Sequence, residues 1–248
     1  LLTQKAIAEG GRMLVLYTAQ MLDIVEHGAP GAEKERAETL LGLLTPIVKA
    51  FLTEVGFECT NEGVQIFGGH GFIKEWGMEQ LVRDARITRL YEGTTGIQAL
   101  DLVGRKLPDR MGRNLRSFFH PVSQFIEDNG ADANIGKMIG GLQQAFGALQ
   151  MSTGHIAQKG LKDPEEAAAA ATDYLKLLGF VAMGYCFAKA AKLAHAKLEE
   201  GTDEKAFYEA KIITARYFFD RLLPPVMAQM MAITSGKASM MDMPAEAF

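Results

Sequence analysis

The chain has 248 residues, 48% hydrophobic and 23% charged, with a formal net charge of −4. That balance supports a buried core without disulfides or metal, and it argues against nucleic acid as the main partner, because phosphate binding needs a basic excess or a dense basic face. The two cysteines, Cys59 and Cys186, sit in apolar helical stretches and read as buried, reduced thiols. They suit the cytoplasm or another reducing compartment, and no run of about 18 uncharged apolar residues suggests a membrane span.

Helix signals dominate. Residues 1–27 read as one amphipathic helix with Leu2, Ala6, Met13, Leu16, Ala19 and Leu22 near one face. The opening Leu1-Leu2-Thr3-Gln4-Lys5 is already helical in pattern, so the chain is expected to be a piece of a longer protein. The turn His27-Gly28-Ala29-Pro30-Gly31 ends this helix. A second helix runs from Ala32 to Phe67, with Pro46 expected to kink or restart it, and stops at Gly68-Gly69-His70-Gly71. Trp76 reads as a packing residue under that glycine loop. A short helix from Met78 to Tyr91, a tight break at Glu92-Gly93-Thr94-Thr95 and a helix from Gly96 to Lys106 follow.

Arginines cluster around Pro108 and Gly112, and a domain boundary is placed there, dividing the chain into residues 1–107 and 108–248. Four more helices are predicted, at about 111–129, 132–160, 164–200 and 203–234. The third has Asp163 as N-cap, Pro164 in the first turn, Glu165 and Glu166 at the positive end of the dipole, and Gly201 as its stop. It would span roughly 55 Å. From Leu177 to Ala190 it is apolar nearly all round, which predicts a central position in a bundle. The last helix carries Phe207, Ala210, Ile213 and Tyr217 on one stripe and is kinked at Pro224-Pro225; the Met-rich tail after Gly236 is expected to be mobile or docked on a partner. No strand alternation of useful length occurs. The fold class is therefore all-α.

Two features bear on chemistry. Three glycines in the four residues from Gly68 allow positive φ and close backbone approach to a ligand, or simply make a helix–helix turn. Glu92 closes an amphipathic helix, where an acid faces the unfavourable end of the dipole and Lys or Arg is usual. Catalysis would explain it, and so would a plain solvated carboxylate. Arg83, Arg86 and Arg89, three apart on one helix, could serve a phosphate but more commonly pair with acids such as Glu79 and Asp84. His27, His120, His155 and His195 form no ligand spacing, so no metal is expected.

The run from Gln65 through Leu107, densest from 65 to 98 with its QxxGGxG and YEGT-xx-IQ blocks, resembles the C-terminal signature of acyl-CoA dehydrogenases. The resemblance implies the family's C-terminal helical bundle over 1–107. It also implies FAD-dependent conversion of an acyl-CoA thioester to a trans-2-enoyl-CoA, with Glu92 removing the α-proton and a hydride passing to the flavin. The backbone N–H of Glu92 would polarise the thioester carbonyl, and burial beside the acyl chain would tune the carboxylate as a base. Tyr91 and Gly93 would flank the thioester. Gln65, Gly68 and Gly69 would contact the ADP part of an FAD held mainly by a neighbouring subunit, and Thr94 and Gly96 the FAD of their own subunit. A homo-oligomer, a dimer or larger, with a shared FAD site follows, and electron-transfer flavoprotein as acceptor. Two departures stand out: Gly96 replaces a polar side chain and Gln80 a basic one.

Residues 108–248 resemble the appended helical domain of a larger bacterial branch, and carry no catalytic motif. The cluster Arg105, Lys106, Arg110, Arg113 and Arg116 reads as a solvated linker face or as a neighbour of a CoA phosphate. An acyl-CoA oxidase remains an alternative. So does a non-catalytic, dehydrogenase-like binding protein, such as a DNA-binding relative, though Glu92 and the net charge of −4 speak against it. His70 could lie near a phosphate.

Overall fold

The computed structural model describes residues 1–247, and every regular element among them is helical. Helix α1 covers Leu2–His27, α2 Ala32–Phe67, α3 Met78–Ile87, α4 Thr95–Asp101 and α5 Arg113–Asn129. Helix α6 covers Gly136–Gly160, α7 Pro164–Glu200, α8 Lys205–Tyr217, α9 Val226–Thr234 and α10 Ala238–Met241. Short 3-10 turns link α2 to α3, and a π turn extends α4 through Lys106.

The organising element is α7. Its start is capped as the sequence implies: the Asp163 carboxylate accepts the Glu165 N–H at 3.0 Å, Pro164 follows, and Gly201 ends the helix at φ +80°. Residues Leu177–Ala188 are buried without interruption, and α1, α2, α4, α6, α8 and α9 pack around them. One cluster of buried side chains runs from Ala6 to Ile233, so residues on both sides of position 107 share a core. By length and composition α7 and the stretch Ala32–Phe72 are long and apolar enough to cross a membrane. The apolar window of α7 is 78% buried among the other helices, as in the core helix of a bundle.

Glycines set the closest helix contacts. A Cβ at Gly10 would stand 2.6 Å from Met183 and Phe187, and one at Gly179 only 2.4 Å from the Phe51 ring. This explains a difference from the expected face of α1. The buried stripe is Ala6, Ile7, Gly10, Gly11, Leu14 and Thr18, while Leu2, Leu16 and Leu22 are exposed. The small residues, which apolar periodicity undervalues, let α1 lie against α7. Helix α8 differs likewise. It buries Ile212, Thr214 and Ala215, and leaves Phe207 and Ile213 exposed.

Three further expectations are corrected. Helix α2 runs unbroken through Pro46, which is itself buried, so the proline does not restart the helix. Burial of Leu43, Leu44 and Ile47 beside it outweighs the one backbone bond that the ring removes. Helix α3 ends at Ile87 rather than Tyr91. Cys186 is buried, and burial pushes its thiol up to about 12, but Cys59 is only half-buried.

Polar ties join the two ends of the chain. Glu9 on α1 meets Lys5 at 2.5 Å and Lys211 on α8 at 3.0 Å. Burial pushes its carboxyl up, but the two ammonium groups outweigh this and hold it below the usual carboxylate range. Thr3 and Tyr217 share a hydroxyl hydrogen bond of 2.7 Å. The tail is docked at its root on its own chain: Lys237 lies 2.5 Å from both Asp163 and Glu165, and its N–H donates to Glu166 at 3.2 Å. Met240, Met241 and Met243 beyond it are exposed.

The contact of Phe51 with Gly179 decides the sign of a test. Gly179→Ala gains about 1 kcal/mol of helix propensity but forces a Cβ into a ring that is 1% exposed and has nowhere to go. A net loss of about 1–3 kcal/mol is expected in denaturant unfolding. Gly147→Ala on α6, with nothing within 4 Å of its Cβ, should gain up to about 1 kcal/mol. Equal effects at the two sites would show that the α2–α7 approach is not tight.

Candidate functional site

Helix α2 carries the anchors of the Glu92 loop. The Lys49 ammonium donates to the Thr88 carbonyl at 3.1 Å and to the Gly93 carbonyl at 2.5 Å, bridging the two sides of the loop. One helical turn on, Glu54 accepts from the Thr95 hydroxyl and pairs with Arg89. The Arg89 guanidinium also lies 5.0 Å from the centre of the Phe57 ring. From within the loop, Gln98 Nε2 donates to the Glu92 carbonyl at 3.2 Å, and Thr94 caps α4 by accepting the Ile97 N–H at 3.4 Å. Five side chains thus hold the backbone from Thr88 to Gln98. The sequence reading missed Lys49, Glu54 and Gln98; the signal available was a charged pair inside an otherwise apolar run of α2. Arg89 finds its acid on α2, not in Glu79 or Asp84.

What this frame holds is strained. Glu92 has φ +54° and Gly93 φ +85°. Glutamate rarely adopts the left-handed region, and non-glycine residues kept there concentrate at functional sites. The carboxylate of Glu92 is exposed. Among the described residues no acceptor takes the N–H of Glu92 or Gly93. Because α3 stops at Ile87, Glu92 does not close a helix. It lies two residues before the cap of α4, so an unfavourable dipole is not what makes it unusual.

The glycine loop is a separate place. Gly68 has φ +61°, and no atom lies within 4 Å of a Cβ at Gly68 or Gly69, so the backbone is open to approach. Gln65, Gly68, Gly69 and His70 are all exposed. Gly71 by contrast is a packing glycine, with a would-be Cβ 2.4 Å from the Val64 carbonyl. Trp76 packs edge-on against His70 at 5.4 Å but is 53% exposed, so it flanks the loop rather than filling a space beneath it. At 1.5 Å of rise per residue, the Glu54 anchor and Gly68 are separated by roughly 20 Å along α2. The expected residues therefore fall into two groups: Tyr91, Glu92, Gly93, Thr94 and Gly96 in one loop, and Gln65, Gly68 and Gly69 in the other. Ile66, Phe67, Phe72, Leu90, Tyr91 and Ile97 are exposed around them.

A family model described as "Acyl-CoA dehydrogenase, C-terminal domain" matches residues 1–107, and one described as "Acetyl-CoA dehydrogenase C-terminal like" matches residues 118–244. The chain is similar to 3-methylmercaptopropionyl-CoA dehydrogenase of Ruegeria pomeroyi, 39% identical over 94% of this chain and 40% of the relative. It thus spans about 40% of the length of the curated relatives that it matches over most of its own length. Two solved structures share the fold. One is an acyl-CoA dehydrogenase complexed with FAD from Bacillus anthracis, with a TM-score of 0.68, 20% identity, and coverage of 94% of this chain and 40% of that one. The other is Caenorhabditis elegans ACDH-11 in complex with C11-CoA, with a TM-score of 0.69, 21% identity, and coverage of 86% and 34%.

Two measurements test the loop. Glu92→Gly should raise stability by about 1 kcal/mol by relieving the positive φ, whereas Glu92→Ala should not; equal effects would deny the strain. Lys49→Met should speed backbone hydrogen exchange from 88 to 95 while leaving the protection of α7 unchanged. Unaltered exchange in the loop would mean that Lys49 does not hold it.

Proposed function

Since the chain belongs to the acyl-CoA dehydrogenase family, as its C-terminal part, we propose that it supplies the base for α,β-dehydrogenation of an acyl-CoA thioester, and that Glu92 is this base. The observation that carries the reading is a carboxylate held at φ +54° by side chains from a neighbouring helix, next to N–H groups that no described acceptor takes. The carboxylate of Glu92 would take the α-proton. The C–H electron pair would move into the thioester as an enolate-like charge, and the Glu92 N–H would donate to the oxygen where that charge grows. Tyr91 and Gly93 would flank the thioester. In a polypeptide of the relatives' length, further segments would cover the loop and exclude water from the carboxylate.

The residues present fit FAD. Open backbone at Gly68, Gly69 and Gly96 leaves room for close approach. Gln65, Gly68 and Gly69 would hold the ADP part of an FAD belonging to a second copy, and Thr94 and Gly96 would lie beside their own copy's FAD. FAD, when bound, would supply the acceptor for the hydride of the β-carbon. The apolar side chains exposed around the glycine loop support a homo-oligomer, a dimer or larger. Electron-transfer flavoprotein as acceptor, a role in fatty-acid β-oxidation and a cytoplasmic location belong to the same reading, as does a division of labour between residues 1–107, with the base, and the helical bundle of 108–248.

The test uses a polypeptide of the relatives' full length, purified with FAD. Acyl-CoA should bleach the flavin in the wild type, and Glu92→Gln should slow bleaching by about 10³-fold or more with FAD still bound. Equal bleaching in both would place the base elsewhere. Faster flavin reoxidation by oxygen than by electron-transfer flavoprotein would make the enzyme an oxidase. The 248 residues alone should not turn over acyl-CoA, and clear activity from them would contradict the division proposed here.

A further inference from the structure

Two grooves, neither lined by a residue of the Glu92 loop, lie on either side of residues 107–117. One, of about 720 Å³, is apolar: Leu107, Met111, Leu115, Ile156, Ala157 and Leu161 line it, between the end of the π turn and the α6–α7 hairpin. The other, of about 750 Å³, is basic, with Arg36, Arg110, Arg113, Arg116 and His120 on its walls. Among the described residues, Arg89 and Arg105 are the arginines with carboxylate partners; the four in this groove have none. Glu35 is the acid on its wall, and Asp109 beside it is engaged by the Asn114 amide at 2.6 Å. A chain of net charge −4 has thus gathered four unneutralised guanidiniums in one place.

The segment between them directs side chains both ways. Arg110 and Met111 are consecutive non-glycine residues at φ +48° and φ +59°. Arg110 lines the basic groove and Met111, 89% exposed, the apolar one. A glycine would hold this backbone without strain, so what the two residues add is their side chains.

The geometry points to a binding site for a single-chain amphiphile, with a phosphate head on the arginines and an alkyl or acyl chain in the apolar groove. Unpaired arginines suit phosphate through planar, multidentate hydrogen bonds. The apolar groove has the volume of a small-ligand pocket, suited to one chain rather than to a lipid surface. The site is independent of the assignment of Glu92.

Dodecyl phosphate below its micelle concentration, titrated into the full chain by calorimetry, tests this. One saturable site per chain is expected, weakened about tenfold by Arg110→Glu with Arg113→Glu, and also by Ala157→Trp, which blocks the apolar groove from an exposed helix position. Lys205→Glu on α8 should change nothing. Circular dichroism checks that each variant is folded. Binding of inorganic phosphate as tight as that of dodecyl phosphate would remove the chain from the proposal, and dodecanol binding as tight would remove the head. Binding only to vesicles of anionic phospholipid would make the face a membrane contact and overturn the single-chain site, as would no binding at all.

Discussion

Phe51 lies flat against Gly179, and the position of the candidate base depends on that contact. Phe51 is on the core side of α2, and Lys49 and Glu54, within a turn of it, hold the loop that bears Glu92. Where α2 sits on α7 therefore decides where two carbonyls, a hydroxyl and a guanidinium find their partners. Burial of a large ring at a glycine gives a contact with little freedom, because packed interiors shift only in discrete ways. The strain stored at Glu92 is sustained by this packing. A backbone in the left-handed region persists only when its surroundings over-determine it, and here a lysine, a glutamate and a glutamine do so.

The same helix separates the chemistry. Its middle anchors the loop of the proposed base and its C-terminus opens into the glycine loop, so one helix fixes the spacing of two regions proposed to face different copies of the cofactor.

Much of the fold was legible in the sequence. The cap at Asp163, the stop at Gly201 and the all-round apolar run of α7 are local signals, and tertiary structure agrees with them. The faces of α1 and α8 were not legible. Their buried stripes include glycine, alanine and threonine, whose worth lies in what they admit from the facing helix, such as Met183 and Phe187 over Gly10. Pro46 did not restart α2, because its cost is local while the burial that offsets it is not. In the site, the run from Tyr91 to Thr94 was readable as a motif, but Lys49 and Glu54 lie some forty residues earlier, and nothing local announces a partner at that distance.

The proton removal proposed for Glu92 can be tested apart from hydride transfer. An acyl-CoA analogue with sulfur in place of the β-carbon cannot be dehydrogenated, so any loss of its α-protons reports the base alone. The most direct measurement is the uptake of solvent deuterium at that α-carbon by NMR, using FAD-loaded protein of the relatives' full length, as wild type and as Glu92→Gln. The account predicts steady exchange with the wild type and none above the uncatalysed rate with the variant. Equal exchange by both would contradict it and move the base to another residue.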